Sequence, residues 1–376
     1  MNAFSESYRG KRVLVTGHTG FKGSWMCEWL LLLGAEVKGI GLDPNSQPSL
    51  FECLDLSSRI NDVRVDICEK EALRKEILDW GPDLIFHMAA QPLVRYSYEY
   101  PLETVTTNIM GTTYLLEALR EMDSKCSVVI VTTDKCYLNK EWDHGYREED
   151  ALGGYDLYSA SKACVEVLTN AYRSSFFSGE GNRIQLATAR AGNVIGGGDW
   201  AVDRIVPDAI RNLKAGNPIP VRNRNATRPW QHVIEPIGGY LKLGYLLCES
   251  NESLVDGVPA SDLATAFNFG PSIRSNRTVW ELVNSILSHW SGECWDVSDP
   301  NAPHEAQKLN LATDKAYHRL GWAPVWDFAR TVEETIRWYA HWNANQESCE
   351  AIRTFTQEQI KKYVTAAESQ GTLGIH

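Results

Sequence analysis

Five reactive side chains lie at two places in this chain of 376 residues. A hydroxyl, a carboxyl and an amine follow one another at Thr133, Asp134 and Lys135, at the end of an apolar run. Downstream, Tyr158 alone among the fifteen tyrosines is followed four residues later by a lysine, Lys162. If the run is a buried strand and Tyr158 opens a helix, the five groups can converge on one point. Together they could serve hydride transfer combined with elimination.

The Tyr158 and Lys162 pair predicts a base. Side chains at positions i and i+4 share one face of a helix, so the ammonium group can lower the pKa of the phenol by stabilising phenolate. A phenol with its ordinary pKa near 10 is a poor base at neutral pH. The spacing alone is a weak signal, and an exposed helical pair is the alternative. Its specificity comes from its place after the fifth strand of the predicted fold.

The elements that must position these groups alternate between strand and helix. Short apolar runs alternate with segments in which apolar residues recur at helical spacing. This alternation predicts an α/β fold with a doubly wound, Rossmann-type parallel sheet covered on both faces. Strands are predicted at residues 11–16, 36–42, 63–66, 83–87, 127–133, 183–189 and 264–269. Helices are predicted between Gly23 and Gly34 and at 69–80, 101–121 and 155–177, the last with an apolar stripe at Cys164, Val167, Leu168, Ala171 and Tyr172.

Three glycines separate the first strand from the first helix. Gly17, Gly20 and Gly23 have the spacing G-x-x-G-x-x-G, which allows a tight turn and lets backbone N–H groups approach a pyrophosphate. This context predicts a dinucleotide site, with a glycine-rich turn without ligand as the alternative. The other residues predicted to bind the cofactor lie in this turn, at the ends of neighbouring strands and in the helix at 101–121: Thr19, Phe21, Asp43, Asp66, Ile67, Ala89, Ala90, Gln91 and Asn108.

Asp43 selects between the two nicotinamide cofactors. It ends the second strand, twenty residues after Gly23, where a carboxylate accepts hydrogen bonds from the adenosine ribose and repels a 2′-phosphate. NAD is therefore favoured over NADP. The alternative is that Asp43 and Pro44 only begin a turn.

Composition excludes several classes of protein. A net charge of −11 disfavours a nucleic-acid surface, although basic residues gathered in one pocket could still bind an anionic small molecule. No apolar run approaches the roughly 18 residues of a membrane span, and the N-terminus lacks the apolar core of a signal peptide, so we expect a cytoplasmic protein. The nine cysteines include no C-x-x-C pair, so neither a disulfide framework nor a metal site is predicted.

The regular alternation ends near Gly192, where glycines and prolines become frequent. Residues 1–191 are predicted to form the NAD-binding Rossmann domain, with a returning segment at about 232–270. Residues 192–231 and 271–376 are predicted to form a smaller, mixed α/β domain that binds the substrate. Arginine binds phosphate in a bidentate manner, so Arg204, Arg222 and Arg228 are candidate diphosphate ligands, with a surface ion pair as the alternative for each.

The motifs together resemble the extended short-chain dehydrogenase/reductase family, in its branch of nucleotide-sugar epimerases and dehydratases. The glycine pattern, the Tyr158 and Lys162 pair and the hydroxyl of Thr133 carry this resemblance. A lysine at 135, where related dehydratases have glutamate, is similar to the CDP-D-glucose 4,6-dehydratase subfamily. So are the strings HMAAQPLVR at 87–95, RAGNVIGGGDW at 190–200 and RPWQH at 228–232. The likeness extends from about residue 9 to about residue 345.

The resemblance implies a mechanism. Tyr158 takes the proton of the sugar C4 hydroxyl as hydride passes to NAD, Thr133 binds the same oxygen, and Lys162 steadies the phenolate and the nicotinamide ribose. Asp134 then protonates the departing C6 hydroxyl and Lys135 removes the C5 proton. Alternatively, an ammonium at Lys135 stabilises the enolate while Asp134 makes both transfers. Hydride returns to C6 and gives a 4-keto-6-deoxy sugar, a precursor by analogy of deoxysugars in surface polysaccharides such as lipopolysaccharide O-antigen.

The resemblance also implies a substrate pocket and an assembly. Asn193 would meet the phosphates of the nucleotide sugar, and Arg95, His232 and Glu305 would line the pocket. A homodimer or homotetramer would form through a four-helix bundle built from the helices at 101–121 and 155–177. Two alternatives remain open: a 4,6-dehydratase or 4-epimerase acting on a dTDP, UDP or GDP sugar, and a non-catalytic NAD-sensing protein.

Overall fold

The computed structural model describes residues 3–179, 181–250, 260–298 and 308–372. Thirteen strands are found in these ranges. They are β1 (Arg12–Thr16), β2 (Glu36–Gly41), β3 (Asn61–Arg64), β4 (Leu84–His87), β5 (Cys126–Val131), β6 (Ile184–Ala191), β7 (Val194–Ile195), β8 (Ile219–Val221), β9 (Thr227–Pro229), β10 (Gln231–His232), β11 (Ala266–Phe269), β12 (Asn276–Thr278) and β13 (Cys294–Asp296).

Helices cover both faces of the central sheet and follow it to the C-terminus. They are α1 (Ala3–Ser7), α2 (Phe21–Leu32), α3 (Leu50–Cys53), α4 (Lys70–Trp80), α5 (Val94–Glu99), α6 (Pro101–Val105), α7 (Thr112–Arg120), α8 (Leu157–Phe176), α9 (Ile205–Lys214), α10 (Ile234–Ser250), α11 (Ala260–Leu263), α12 (Val279–His289), α13 (Asp314–Leu320), α14 (Phe328–Ala344) and α15 (Cys349–Ser369).

Seven parallel strands form the central sheet, in the order β11-β6-β5-β4-β1-β2-β3. Both β4 and β5 are buried at every position, as expected of apolar strands covered on two faces. The order reverses between β1 and β4, and a crevice forms at such a reversal outside the carboxyl ends of the strands. The predicted Rossmann-type fold is confirmed, and its strand bounds agree to within about two residues.

The predicted helix at 101–121 is divided by a π-helical turn, Thr106–Gly111, between α6 and α7. Asn108 lies in this turn, and its carboxamide bonds to Gln91 and to Ser161 of α8. Such turns insert an extra residue into a helix and commonly occur beside functional sites. Helical periodicity does not reveal them.

The predicted apolar stripe of α8 lies towards the surface. Cys164 and Val167 are exposed, the latter by 56%. The buried face carries polar groups instead, including Tyr158, Lys162 and Glu166. Lys162 and Glu166 can be buried because they bond to groups of β5 and β6.

Beyond β6, the chain leaves the sheet and comes back to it. After the short strands β7 to β10, α10 packs on β5 and β11 joins the sheet beside β6. The C-terminal helix α15 lies against α2, where the rings of Trp29 and Tyr363 are 5.7 Å apart. The proposed division of the chain at residues 191, 231 and 270 stays a prediction. No helix in the described ranges has the length and apolarity that a bilayer crossing requires.

Candidate active site

A cleft of about 1220 Å³ opens at the carboxyl edge of the sheet. Its walls are the ends of β1, β2, β4, β5 and β6, the first turns of α2, α8 and α9, and the segment that follows β6. A pocket for one drug-sized ligand has about 300–1,000 Å³, so the cleft is large enough for two adjoining ligands.

The glycine turn forms one end of the cleft. Gly17 has a φ of +73°, and a Cβ there would lie 2.7 Å from the backbone nitrogen of Ala89. A Cβ on Gly23 would lie 2.1 Å from the carbonyl oxygen of Gly17. Gly20 caps α2, whose first N–H groups face the cleft at Phe21 and Lys22. This arrangement fits the pyrophosphate of a dinucleotide.

The wall after β4 is held by a buried hydrogen-bond chain. The hydroxyl oxygen of Thr16 accepts bonds from the backbone of Met88 and Ala89, both at 3.1 Å, and lies 2.8 Å from Nδ1 of His87. Burial lowers the pKa of His87 to about 3, so its ring is neutral. Ala89 and Ala90 therefore present a fixed surface to the cleft, as predicted for cofactor contacts.

Gln91 and Asn108, also predicted as cofactor-site residues, lie behind this wall. Both side chains are buried and absent from the described cleft lining. The Gln91 backbone N–H donates to Asn108 at 2.8 Å, and Asn108 donates to the Gln91 carbonyl at 3.1 Å and to Ser161 at 2.8 Å. Their polar groups are used in joining the β4 loop to α8, so they support the wall.

Four residues predicted to bind the cofactor line the cleft near the ends of β2 and β3. Asp43 lines the cleft and is 90% exposed, with a guanidinium nitrogen of Arg64 3.7 Å from its carboxylate. Asp66 accepts a bond from the Cys68 N–H at 2.9 Å and faces the same end of the cleft with Ile67. Thr19, also in the lining, donates from its hydroxyl to a carbonyl at the end of β2 and ties the glycine turn to that strand.

The row at 133–135 begins a short 3₁₀ turn after β5, Asp134–Cys136, which Thr133 caps. Thr133 also donates to Asp134 at 3.0 Å. The ammonium of Lys135 lies 3.3 Å from the same Asp134 oxygen and 3.3 Å from the side-chain oxygen of Asn193. The second Asp134 oxygen is buried and bonds to no described group, beside the space that Gly192 leaves open. The acid and the amine therefore form one unit.

Tyr158 and Lys162 reach the same region from α8. Asp156 caps this helix by accepting from the Ser159 N–H at 2.9 Å, and this places Tyr158 in its first turn. Burial raises the pKa of Tyr158 to about 12, against the effect of a hydrogen bond with Thr133. The predicted lowering of this pKa by Lys162 is thus not found in the protein alone. Burial lowers the pKa of Lys162 to about 8, and its ammonium donates to the Val131 carbonyl at 3.2 Å.

A buried ion pair beneath Lys162 was missed by the sequence interpretation. Glu166 binds Arg190 at 2.8 Å and accepts bonds from the hydroxyls of Thr132 and Thr188, the latter at 2.7 Å. Glu166 follows Lys162 by four residues, so the same helical spacing that revealed Lys162 could have revealed it. The pair fixes α8 against β5 and β6.

Cationic side chains line the opposite side. Arg204 binds Asp199 at 2.9 Å, and Arg95 and Arg228 also line the cleft. Arg222, the third predicted diphosphate ligand, is bound to Asp203 at 2.6 Å and is not among the described lining residues. Asp203 itself lines the cleft, and its carboxylate also lies 3.7 Å from the guanidinium group of Arg95.

His232, predicted as a pocket residue, is not found in the cleft lining. Its ring is fully buried, between those of Trp25 and Trp326 at 5.7 and 5.1 Å. Burial lowers its pKa to about 3, so it is a neutral core residue. The remaining candidate, Glu305, lies outside the described residues. Within the described ranges, no group of three or more metal-ligating side chains is found.

Comparison with known proteins identifies relatives of this arrangement. A family model described as GDP-mannose 4,6 dehydratase matches residues 14–260. The CDP-glucose 4,6-dehydratase of Salmonella typhimurium is 42% identical over 96% of this chain and 98% of its own length.

Solved structures share the fold. A dTDP-glucose 4,6-dehydratase from Streptomyces venezuelae, crystallised with NAD, superposes with a TM-score of 0.72 at 23% identity, over 91% of this chain and 99% of the other. The UDP-glucose 4-epimerase of Thermus thermophilus, also with NAD, gives 0.70 at 24% identity, over 87% and 98%. One fold thus serves both elimination and epimerisation. From the family match and the near full-length similarity, the chain belongs to the GDP-mannose 4,6-dehydratase family, within the extended short-chain dehydrogenases/reductases.

Proposed function

We propose that this chain is an NAD-dependent CDP-D-glucose 4,6-dehydratase, a hydro-lyase that forms CDP-4-keto-6-deoxy-D-glucose. The observation that carries the proposal is the meeting of two sets of groups at one place, Tyr158 with Thr133 and Lys135 with Asp134. Tyr158, Thr133 and Lys135 line the cleft, and Asp134 is buried directly behind Lys135 and bound to it. The first set suits oxidation at C4 and the second suits loss of water across C5 and C6. The choice of CDP follows the name of the Salmonella relative.

NAD fits the cofactor end of the cleft. The glycine turn leaves no room for a Cβ at Gly17 or Gly23, and the start of α2 offers backbone N–H groups to a pyrophosphate. Asp43 would accept bonds from the adenosine ribose, and Asp66 and Ile67 would meet the adenine. NAD, when bound, supplies an acceptor for hydride from C4 and returns that hydride to C6.

Oxidation at C4 would use three residues. Tyr158 removes the proton of the C4 hydroxyl, and Thr133 donates to the same oxygen. Because burial raises the pKa of Tyr158 to about 12, the phenolate must be stabilised by charge that arrives with the ligands or by a turn of Lys162 away from Val131. Lys162 lies one helical turn away and can make that change without moving the backbone.

Elimination would use Asp134 and Lys135 as a unit. We keep Lys135 as the base that removes the C5 proton and Asp134 as the acid that protonates the C6 hydroxyl. Their contact of 3.3 Å allows a proton to pass between them, so the ammonium can first give its proton to the carboxylate. In the alternative, Lys135 stays charged beside the enolate and Asp134 makes both transfers.

The nucleotide sugar would lie along the segment after β6. Asn193 is already bound to Lys135, so it links the reactive unit to the phosphates of the substrate. Arg204 and Arg228 line the cleft and provide positive charge for the diphosphate. Residues 192–231 and 271–376 would then be the part of the chain that selects the substrate.

A direct assay tests this function. The purified protein is incubated with CDP-, dTDP-, UDP- and GDP-glucose in deuterated water, and the products are analysed by mass spectrometry and NMR. We expect loss of one water from CDP-glucose alone, with deuterium at C5. A C4 epimer without loss of water would identify an epimerase, and NAD binding without any product would identify a sensor.

Replacement of Lys135 separates the two halves of the reaction. We expect Lys135→Met to lose product formation but to retain some reduction of NAD, because Tyr158 and Thr133 are untouched. Lys140→Met is the matched control, since Lys140 is exposed nearby and lies over the ring of Trp142. Unchanged product formation in Lys135→Met would remove this residue from the mechanism.

We also propose a homo-oligomer that pairs α6, α7 and α8 with their copies. Large apolar side chains on or next to these helices are exposed, with Leu102 at 77%, Tyr155 at 78% and Val167 at 56%. If these side chains adjoin one another they would form an apolar patch, which typically marks an interface. Val167→Asp should shift the mass measured by light scattering towards the monomer, and an unchanged mass would exclude this face.

A further inference from the structure

Lys22 is a cleft residue for which none of the motifs predicted a role. It is the second residue of α2, directly after the glycine turn, and its side chain is part of the cleft lining. Its ammonium lies 5.8 Å from the centre of the Tyr240 ring. Among the described residues, no carboxylate forms an ion pair with it.

The charges around Lys22 are mostly positive. Arg204 precedes α9, Lys162 lies in α8, and Asp134 and Lys135 follow β5; all four act on Lys22. Burial, followed by repulsion from Arg204, lowers the pKa of Lys22 to about 7. The charge of Lys22 is therefore sensitive to the pH near 7 and to any charge that enters the cleft.

The position of Lys22 follows the path of a nicotinamide. The glycine turn is where a dinucleotide places its pyrophosphate, and Tyr158 marks where hydride is exchanged. The nicotinamide half of the cofactor must connect these two points. Lys22 lies beside the first point, its side chain lines the same cleft as Tyr158, and its ammonium lies over the Tyr240 ring.

We infer that Lys22 places positive charge beside the nicotinamide ring and thereby favours reduced over oxidised cofactor. The inference rests on the proposed NAD-dependent function. The ring carries a positive charge in NAD⁺ and none in NADH, so a neighbouring cation repels only the oxidised form. Oxidation of the sugar sends hydride to the ring and the C4 hydroxyl proton to Tyr158, and the ring charge is lost. Lys22 then stabilises the state in which the keto sugar awaits return of the hydride.

Binding measurements test the inference without turnover. Dissociation constants for NAD⁺ and NADH are measured by calorimetry on the full chain, freed of nucleotide, for the native protein, Lys22→Met and Lys22→Arg. In Lys22→Met we expect the ratio of the NAD⁺ constant to the NADH constant to fall about tenfold, the effect of one partly screened charge at short range. Lys22→Arg should keep or raise the native ratio. Lys75→Met, on the exposed face of α4, is the control and should leave it unchanged.

The pH dependence gives a second readout. As pH rises through about 7, Lys22 loses its proton and its repulsion of NAD⁺, so the ratio should decrease in the native protein. Neither Lys22→Met nor Lys22→Arg should show this change, because neither side chain titrates in that range. Lys162 has a pKa of about 8 and is present in both variants. Any effect of its titration on the ratio is therefore seen in the variants and can be subtracted from the native curve.

Several results would overturn the inference. Equal weakening of NAD⁺ and NADH in Lys22→Met would assign Lys22 to the pyrophosphate, and an unchanged ratio would leave it without an electrostatic role. If Lys22→Met fails to fold, Lys22→Arg and the native pH dependence still decide the matter. A native protein that binds neither nucleotide would overturn both this inference and the proposed function, whereas binding with an unchanged ratio would overturn the inference alone.

Discussion

The two sides of the cleft are built from different material. The cofactor side is mainly backbone and small side chains, such as the glycine turn and Ala89. The sugar side carries, among apolar residues, charged groups already bound to carboxylates close in sequence, as in Arg204 with Asp199 and Lys135 with Asp134.

One side of the cleft therefore depends on close packing of the backbone, and the other depends on the charges of its side chains. Backbone surfaces have no spare volume, so an added atom displaces the main chain and disturbs the fold. Paired side chains can exchange a carboxylate for a phosphate or a reacting sugar oxygen, so their loss reduces affinity or rate while the sheet remains. Substitutions on the first side should therefore lower stability, and substitutions on the second should lower affinity or rate.

The largest effect is expected at Gly23. A Cβ there would lie 2.1 Å from the Gly17 carbonyl oxygen, so Gly23→Ala should move α2 and cost about 1–3 kcal/mol of unfolding free energy, with loss of NAD binding. Gly20→Ala is the control, because its Cβ would meet that oxygen at 3.4 Å with a φ of −76°. Thermal unfolding and NAD titration measure both. If Gly23→Ala and Gly20→Ala were equally stable, Gly23 would not be packed more tightly than Gly20.

Tyr158→Phe should reduce kcat by about a thousandfold, the range for loss of a general base, and leave the unfolding midpoint nearly unchanged. Because the pKa of Tyr158 is raised, the phenolate fraction grows with pH, so native kcat/KM should rise on its acid limb. If Lys162 turns from Val131 towards the phenolate when the ligands bind, Lys162→Met should shift this limb to higher pH. A limb that stays in place would exclude Lys162 from tuning Tyr158.

Arg204→Met tests the sugar side. We expect CDP-glucose to bind about tenfold more weakly, since a hydrogen bond to a charged group contributes about 1.5 kcal/mol. NAD affinity should change little. Asp199 would lose its partner, so the double variant Asp199→Asn with Arg204→Met should recover stability but not affinity. Calorimetry measures the affinity for CDP, which has the diphosphate but no sugar to react. If Arg204→Met binds CDP as tightly as the native protein does, the diphosphate lies elsewhere.

The smallest effect is expected at Asp43. Its carboxylate is 90% exposed, so Asp43→Asn should weaken NAD only a few-fold, as for exposed charges in general. Arg64 would keep its bond to Asp62 at 2.8 Å, but no carboxylate at 43 would repel a 2′-phosphate, so the preference for NAD over NADP should narrow. An unchanged preference would show that Asp43 only shapes the turn.

Local patterns in the sequence were enough to predict most of the residues on the cofactor side of the cleft. The glycine spacing, the strand ends and the Tyr158 and Lys162 pair each lie within a few residues, so periodicity and turn chemistry determine them. The α/β fold class follows from the same alternation, and the structure confirms it.

Only the tertiary structure decided which side chains face the cleft and what charge they carry. His232 and Lys22 look alike in sequence as isolated basic residues, yet one is sealed between tryptophans and the other lines the cleft. Likewise, Lys135 meets Asn193, and Glu166 meets Arg190, across segments that sequence spacing does not relate. Burial and the partners of a charge depend on long-range packing, and they set its protonation. The sequence alone determined the sheet, the turn and the reactive residue types, whereas packing decided which of them act together.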